Sequence, residues 1–252
     1  MGHIFDVKLA NLYEAWQNSS EGMFFDRLSS ELIVRLVRPK KGERVLDIGC
    51  GTGNHLLLFY QLGLDVTGLD ASPYMLDIAK SRLGNKASLK LGSAEDLPFE
   101  DNEFDLTTLI LTLEFLDNPL PALREAGRVT KNKVFIGVLN GLSLGCICKK
   151  CYSLFSGSIF RKAHLFTLCG LKGYVKRAYG NMPMEWGSIQ ITPFCFKTYH
   201  KRIEKLSLVQ SSPFGTFLGL STTMTYTLKT DNLKLRKRLQ RRTESLIGRS
   251  GL

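Results

Sequence analysis

Apolar and polar positions change period repeatedly along the chain. Between residues 11 and 37, Trp16, Phe24, Phe25, Leu28, Leu32, Ile33 and Leu36 recur at spacings of three and four. That period predicts an amphipathic helix, ended by Pro39, Lys40, Lys41 and Gly42. Residues 44–48 read as a short buried strand running into a glycine loop at 49–53, and residues 54–62 as a helix stopped by Gly63. The alternation then repeats. Strands are expected at 65–69, 87–91, 104–111 and 133–139, with helices at 73–83 and 119–129. Ser72 is an N-cap, Pro73 suits the first helical position and Gly84 ends that helix. Strand and helix alternating in this way call for an α/β fold, a parallel sheet covered on both faces.

The last hundred residues are less regular. A helix broken near Gly170 or Gly173 is expected at 160–179, strands at 184–191 and 218–228, and a basic helical stretch at 195–208. No internal repeat or low-complexity tract is present. The composition is that of an ordinary globular chain, with 44% hydrophobic and 23% charged residues, so no metal or disulfide is needed to explain folding. The net charge of +11 is partly local: residues 231–252 hold seven Lys or Arg against Asp231 and Glu244. A basic tail of this kind suits a weak contact with an anionic membrane surface. DNA binding is not expected.

His3, Asp6, Lys8 and Glu14 interrupt any apolar run near the N-terminus, and the apolar stretch 134–148 contains Gly137, Asn140, Gly141 and Gly145. Neither a signal peptide nor a membrane span is expected, and the chain reads as cytoplasmic. Cys146, Cys148 and Cys151 sit close together and are read as lining an apolar helix start or turn, with no metal site assigned.

The chemistry concentrates in Val45-Leu46-Asp47-Ile48-Gly49-Cys50-Gly51-Thr52-Gly53-Asn54. A strand delivers a carboxylate and then three glycines at alternate positions, so a ligand can lie against backbone free of Cβ atoms. Similar loops serve dinucleotide enzymes, where a pyrophosphate rests on the helix N-terminus. Here the spacing is Gly-x-Gly-x-Gly, and Asp47 stands two residues before the first glycine. A negative charge there suits an ammonium or sulfonium, and so S-adenosylmethionine, better than a pyrophosphate. Asp70, nineteen residues after Gly51 at the end of the second strand, is placed to accept hydrogen bonds from ribose hydroxyls.

With Asp47 to Asn54, the segment Leu69-Asp70-Ala71-Ser72-Pro73-Tyr74-Met75-Leu76 and the run from Gly92 to Asp105 (Gly-Ser-Ala-Glu-Asp-Leu-Pro-Phe-Glu-Asp-Asn-Glu-Phe-Asp), residues 40–140 resemble the class I S-adenosylmethionine-dependent methyltransferases. The likeness is to the small-molecule branch that includes the quinone C-methyltransferases. The resemblance implies a doubly wound, mostly parallel, seven-stranded Rossmann-like sheet of order 3-2-1-4-5-7-6. It also implies one domain over 1–230, with a helical cap at 1–39, a cofactor-binding half at 40–140, a substrate side at 141–230 and the basic tail beyond.

Carried over residue by residue, Asp47, Gly49, Cys50, Gly51 and Asn54 would surround the methionine part and Asp70 the ribose. Ala71, Met75, Ser93, Ala94 and Glu95 would edge the adenine, Leu111 would lie against the methionine moiety, and Tyr13 would close over the cofactor. A sulfonium methyl needs alignment more than a covalent residue, so in-line transfer to a small-molecule acceptor by proximity is the expected chemistry. Glu114 and His164 are the candidates for an added proton acceptor, and Trp186 and Tyr199 for the substrate wall. Two other functions stay open on sequence alone: an NAD-dependent oxidoreductase on a similar sheet, and a basic nucleic-acid or membrane-surface protein using the fold as a scaffold.

Overall fold

Val45, Leu46, Asp47 and Ile48 are all buried, as in a strand covered on both faces. Strand β1 (Arg44–Ile48) lies mid-sheet, between β2 (Asp65–Asp70) and β4 (Phe104–Ile110), both parallel to it. The computed structural model describes residues 5–143, 163–190 and 212–224; the three clustered cysteines, Tyr199, the stretch 195–208 and the tail 231–252 lie outside these.

The remaining strands are β3 (Ser88–Leu91), β5 (Thr130–Leu139), β6 (Met184–Ile189) and β7 (Phe217–Thr223). Their order is 3-2-1-4-5-7-6, and β7 runs antiparallel to both neighbours. Helices α3 (Asn54–Gln61), α4 (Pro73–Leu83), α5 (Pro119–Val129) and α6 (Leu168–Tyr179) pack on the sheet faces.

Alternation along each strand divides the core. Leu46, Ile48, Val134, Ile136 and Val138 join Leu123 of α5 and Leu171 of α6 on one face. Val45, Phe135 and Phe217 meet Leu56 of α3 and the N-terminal helices on the other. Gly137, Gly219 and Gly187 pair in register across β5, β7 and β6. A Cβ at Gly219 would come 3.0 Å from Leu32 and 3.1 Å from the Phe135 ring, so these side chains press directly on the sheet backbone.

The single helix expected over 11–37 is two: α1 (Val7–Gln17) and α2 (Ser20–Val37). Ser19 makes the break, its hydroxyl donating to the Trp16 carbonyl at 2.6 Å and accepting the Gly22 amide at 3.2 Å. A Cβ at Gly22 would fall 2.1 Å from the Trp16 carbonyl, so the corner closes only on glycine. Among the described residues, the helix expected over 160–179 begins at Leu168, because Thr167 caps it by accepting the Gly170 amide at 3.1 Å. Phe166 bridges to Asn140 instead. Strand β5 starts at Thr130, directly off α5, and β6 ends at Ile189, two residues short of the expected end.

Candidate functional site

The loop after β1 turns on positive φ angles at Gly49 (73°), Gly51 (51°) and Gly53 (81°). A Cβ at Gly49 would strike the Thr112 side chain at 2.5 Å, whereas one at Gly51 would meet nothing within 4 Å. Gly51 therefore presents bare backbone to open space. The loop is tied to β2 by the Gly49 and Cys50 amides, which donate to the Leu69 carbonyl at 2.7 and 3.0 Å.

Asp70 completes this tie. One carboxylate oxygen accepts the Gly51 amide and the other the Ser72 amide, both at 2.8 Å. The Ala71 amide also bears on this carboxylate, whose four lone-pair sites still leave room for a further donor. Burial raises the Asp70 carboxyl above its ordinary value, against the pull of these amides. Asp47, deeper in the sheet, accepts the Thr108 hydroxyl at 2.6 Å and is only 1% exposed. Burial pushes its carboxyl up to about 7; the Thr108 bond opposes that and the charge of Asp70 adds to it.

Above the carboxyl ends of β1, β2, β3 and β4 lies a cavity of about 340 Å³, within the range of small-molecule sites. On the β2–β3 side it is lined by Asp70, Ala71, Met75, Ser93, Ala94 and Glu95. Gly49, Cys50, Gly51, Thr52, Asn54 and His55 line the side of the glycine loop and α3. Phe5, Tyr13 and Gln17 form the roof, and Leu111, Thr112, Phe115 and Leu116 line the side past β4. Burial, and after it the negative charges of Asp26 and Glu114, hold the Tyr13 phenol far above its ordinary range, so it stays a neutral hydroxyl. Leu111 has φ 54°, a conformation that costs a branched residue strain, and points the chain over the cavity edge.

Four expected residues stand off this lining. Asp47 lies beneath it. Glu114 is fully buried and turned toward the end of β5, where one oxygen accepts the Leu139 amide at 2.7 Å; the other has no partner among the described residues. Burial pushes its carboxyl up to about 8, so it is protonated at neutral pH. His164 is exposed, and its backbone amide donates to the Glu114 carbonyl at 2.8 Å. Trp186 sits on the edge strand β6 under the Lys172 ammonium, 5.2 Å from the ring centre, and not on the cavity wall.

Gln17, Thr52, His55, Phe5 and Phe115 were not legible as site residues. The Thr52 hydroxyl donates to the Gln17 side-chain oxygen and accepts from Arg82 at 2.8 Å. Phe5 packs edge-on against Phe115, ring centres 5.0 Å apart, and its carbonyl accepts the Ser72 hydroxyl at 2.6 Å. The contacts of Gln17 and Phe5 depend on how α1 and the residues ahead of it lie over the loop, which periodicity alone does not encode.

Residues 46–136 match a family model described as a methyltransferase domain. Demethylmenaquinone methyltransferase of Staphylococcus aureus (strain JH9) is 40% identical over 97 residues, a match spanning 36% of this chain and 40% of that relative's length. Among solved structures, a S-adenosylmethionine-dependent methyltransferase of Thermotoga maritima, described as a possible histamine N-methyltransferase, superposes with a TM-score of 0.64 at 21% identity. That likeness covers 87% of this chain and 97% of the other. Magnesium protoporphyrin IX methyltransferase of Synechocystis with bound S-adenosylhomocysteine gives 0.57 at 15% identity, over 89% of this chain and 90% of that one. The sheet order and these superpositions establish the class I methyltransferase fold.

Proposed function

We propose that this chain, built on the class I methyltransferase fold, transfers the methyl group of S-adenosylmethionine to a small, largely apolar acceptor. The observation that carries the reading is the makeup of the cavity. Bare backbone at Gly51 stands beside the Asp70 carboxylate, and Glu95 adds a second acid to the lining. Among the described lining residues there is no Lys or Arg. A pyrophosphate would find two carboxylates and no strong counter-charge there, which disfavours a dinucleotide. A cationic nucleoside fits: Asp70 keeps acceptor capacity for a ribose hydroxyl beyond the amides it holds, and Asp47, which ionises as pH rises through about 7, lies under the loop.

When bound, the cofactor supplies an already activated sulfonium methyl. The chain's own task is alignment and exclusion of water. Phe5, Leu111, Phe115 and Leu116 give the side past β4 an apolar wall suited to a flat acceptor. The demethylmenaquinone methyltransferase match supports a quinol-like or phenol-like ring. Glu114 and His164 do not reach the lining, so neither stands where it could take a proton from the acceptor. Incubation with methyl-labelled S-adenosylmethionine and a set of hydroquinones and phenols should yield labelled product and S-adenosylhomocysteine. Hydride transfer from NADH in place of methyl transfer would contradict the proposal.

A further inference from the structure

S-adenosylmethionine ends in an amino-acid arm, and a carboxylate taken out of bulk water needs a partner. Asp70 and the Ser93-to-Glu95 edge suit the nucleoside, which leaves Tyr13, Gln17, Thr52, Asn54, His55 and Thr112 as polar residues of the remaining lining. Of the described lining residues, His55 is the one side chain able to become positive. Arg82 is near but committed: it donates to the Thr52 carbonyl and hydroxyl and to Asn54, faces Glu14 at 3.7 Å, and does not line the cavity.

His55 lies in the first turn of α3 with its side chain 12% exposed; its Nε2 is closed to solvent, without a hydrogen-bond partner among the described residues, which leaves Nδ1 as the ring nitrogen for a ligand in the cavity. Asp26 of α2 stands 4.0 Å from Nε2, beyond hydrogen-bond reach but close enough to favour a positive ring.

Resting on the cofactor reading above, we infer that His55 anchors the terminal carboxylate of the cofactor's amino-acid arm, with Asp26 behind it as counter-charge. In the free protein, burial lowers the affinity of His55 for a proton and Asp26 only partly offsets that. The other groups that bear on the site are the neutral Tyr13 of α1, Asp47 of β1, Asp70 of β2 and Arg82 of α4. An arriving carboxylate adds a negative charge beside the ring and draws a proton onto it from solvent.

Calorimetric titration of the whole chain with S-adenosylhomocysteine and with 5′-methylthioadenosine, which lacks the amino-acid arm, tests this. His55→Gln should weaken S-adenosylhomocysteine binding by about 10- to 100-fold, as expected for one charged hydrogen bond, and leave 5′-methylthioadenosine within about twofold. Repeating the wild-type titration near neutral pH in buffers of different ionisation enthalpy should reveal proton uptake with S-adenosylhomocysteine. That uptake should vanish in His55→Gln and shrink in Asp26→Asn. Unchanged S-adenosylhomocysteine affinity in His55→Gln would overturn the inference, and so would equal loss of both ligands, the mark of a merely structural residue. A wild-type chain that bound neither ligand would instead overturn the cofactor reading itself.

Discussion

Two buried carboxyls, Asp47 and Glu114, dominate the electrostatics at residue scale, both raised by burial, to about 7 and about 8. A carboxyl raised in the folded state holds its proton after the unfolded chain has released it. Its stabilising contribution is therefore complete below the unfolded value of 4.5 for Glu114 and is lost as pH climbs through about 8. The protein should grow less stable between these limits, and Glu114→Gln, which keeps an oxygen for the Leu139 amide, should flatten the decline. Thermal denaturation of both proteins across this range checks it. The same variant distinguishes two roles. A general base contributes about 10²- to 10⁴-fold, whereas a buried clamp replaced by its amide should leave methyl transfer within about threefold. Glu114 was readable in the sequence as an acid past the fourth strand, but its direction was not. The Leu139 amide that turns it away from the cavity lies on a different strand, 25 positions along the chain.

At the scale of elements, α1 is the piece most directly joined to function. It meets the glycine loop through Gln17 and Thr52, and Phe5, just ahead of it in the chain, packs on Phe115 past β4 and is held to the start of α4 by Ser72. Gln17→Ala removes one such tie, on the order of 1 kcal/mol, or about fivefold in affinity. Stopped-flow dissociation of S-adenosylhomocysteine should speed up by about that factor with the melting temperature little changed. An unaltered rate would mean that α1 does not hold the ligand. The helices on the sheet were legible wherever a cap marked them, as Ser72, Pro73 and Gly84 do for α4. The corner between α1 and α2 was not, because the apolar spacing continues across it while Ser19 and Gly22 reverse the chain.

For the whole molecule, the order 3-2-1-4-5-7-6 reverses direction between β1 and β4, and α/β sheets bind ligands at such switch points, beyond the carboxyl ends of the strands. The cavity stands there. Alternating strand and helix signals made the first five strands readable. The resemblance implied the strand order and a mostly parallel sheet but did not single out β7 as the antiparallel strand, and the run of buried residues in β7 looks the same in either direction. No helix among the described residues is long and apolar enough to cross a membrane. The most direct test of the central claim is calorimetric titration with S-adenosylhomocysteine and NAD, on the wild type and on Asp70→Asn. The account predicts saturable binding of S-adenosylhomocysteine alone, weakened about 10- to 100-fold in Asp70→Asn. Binding of NAD without S-adenosylhomocysteine, or an affinity indifferent to Asp70, would contradict it.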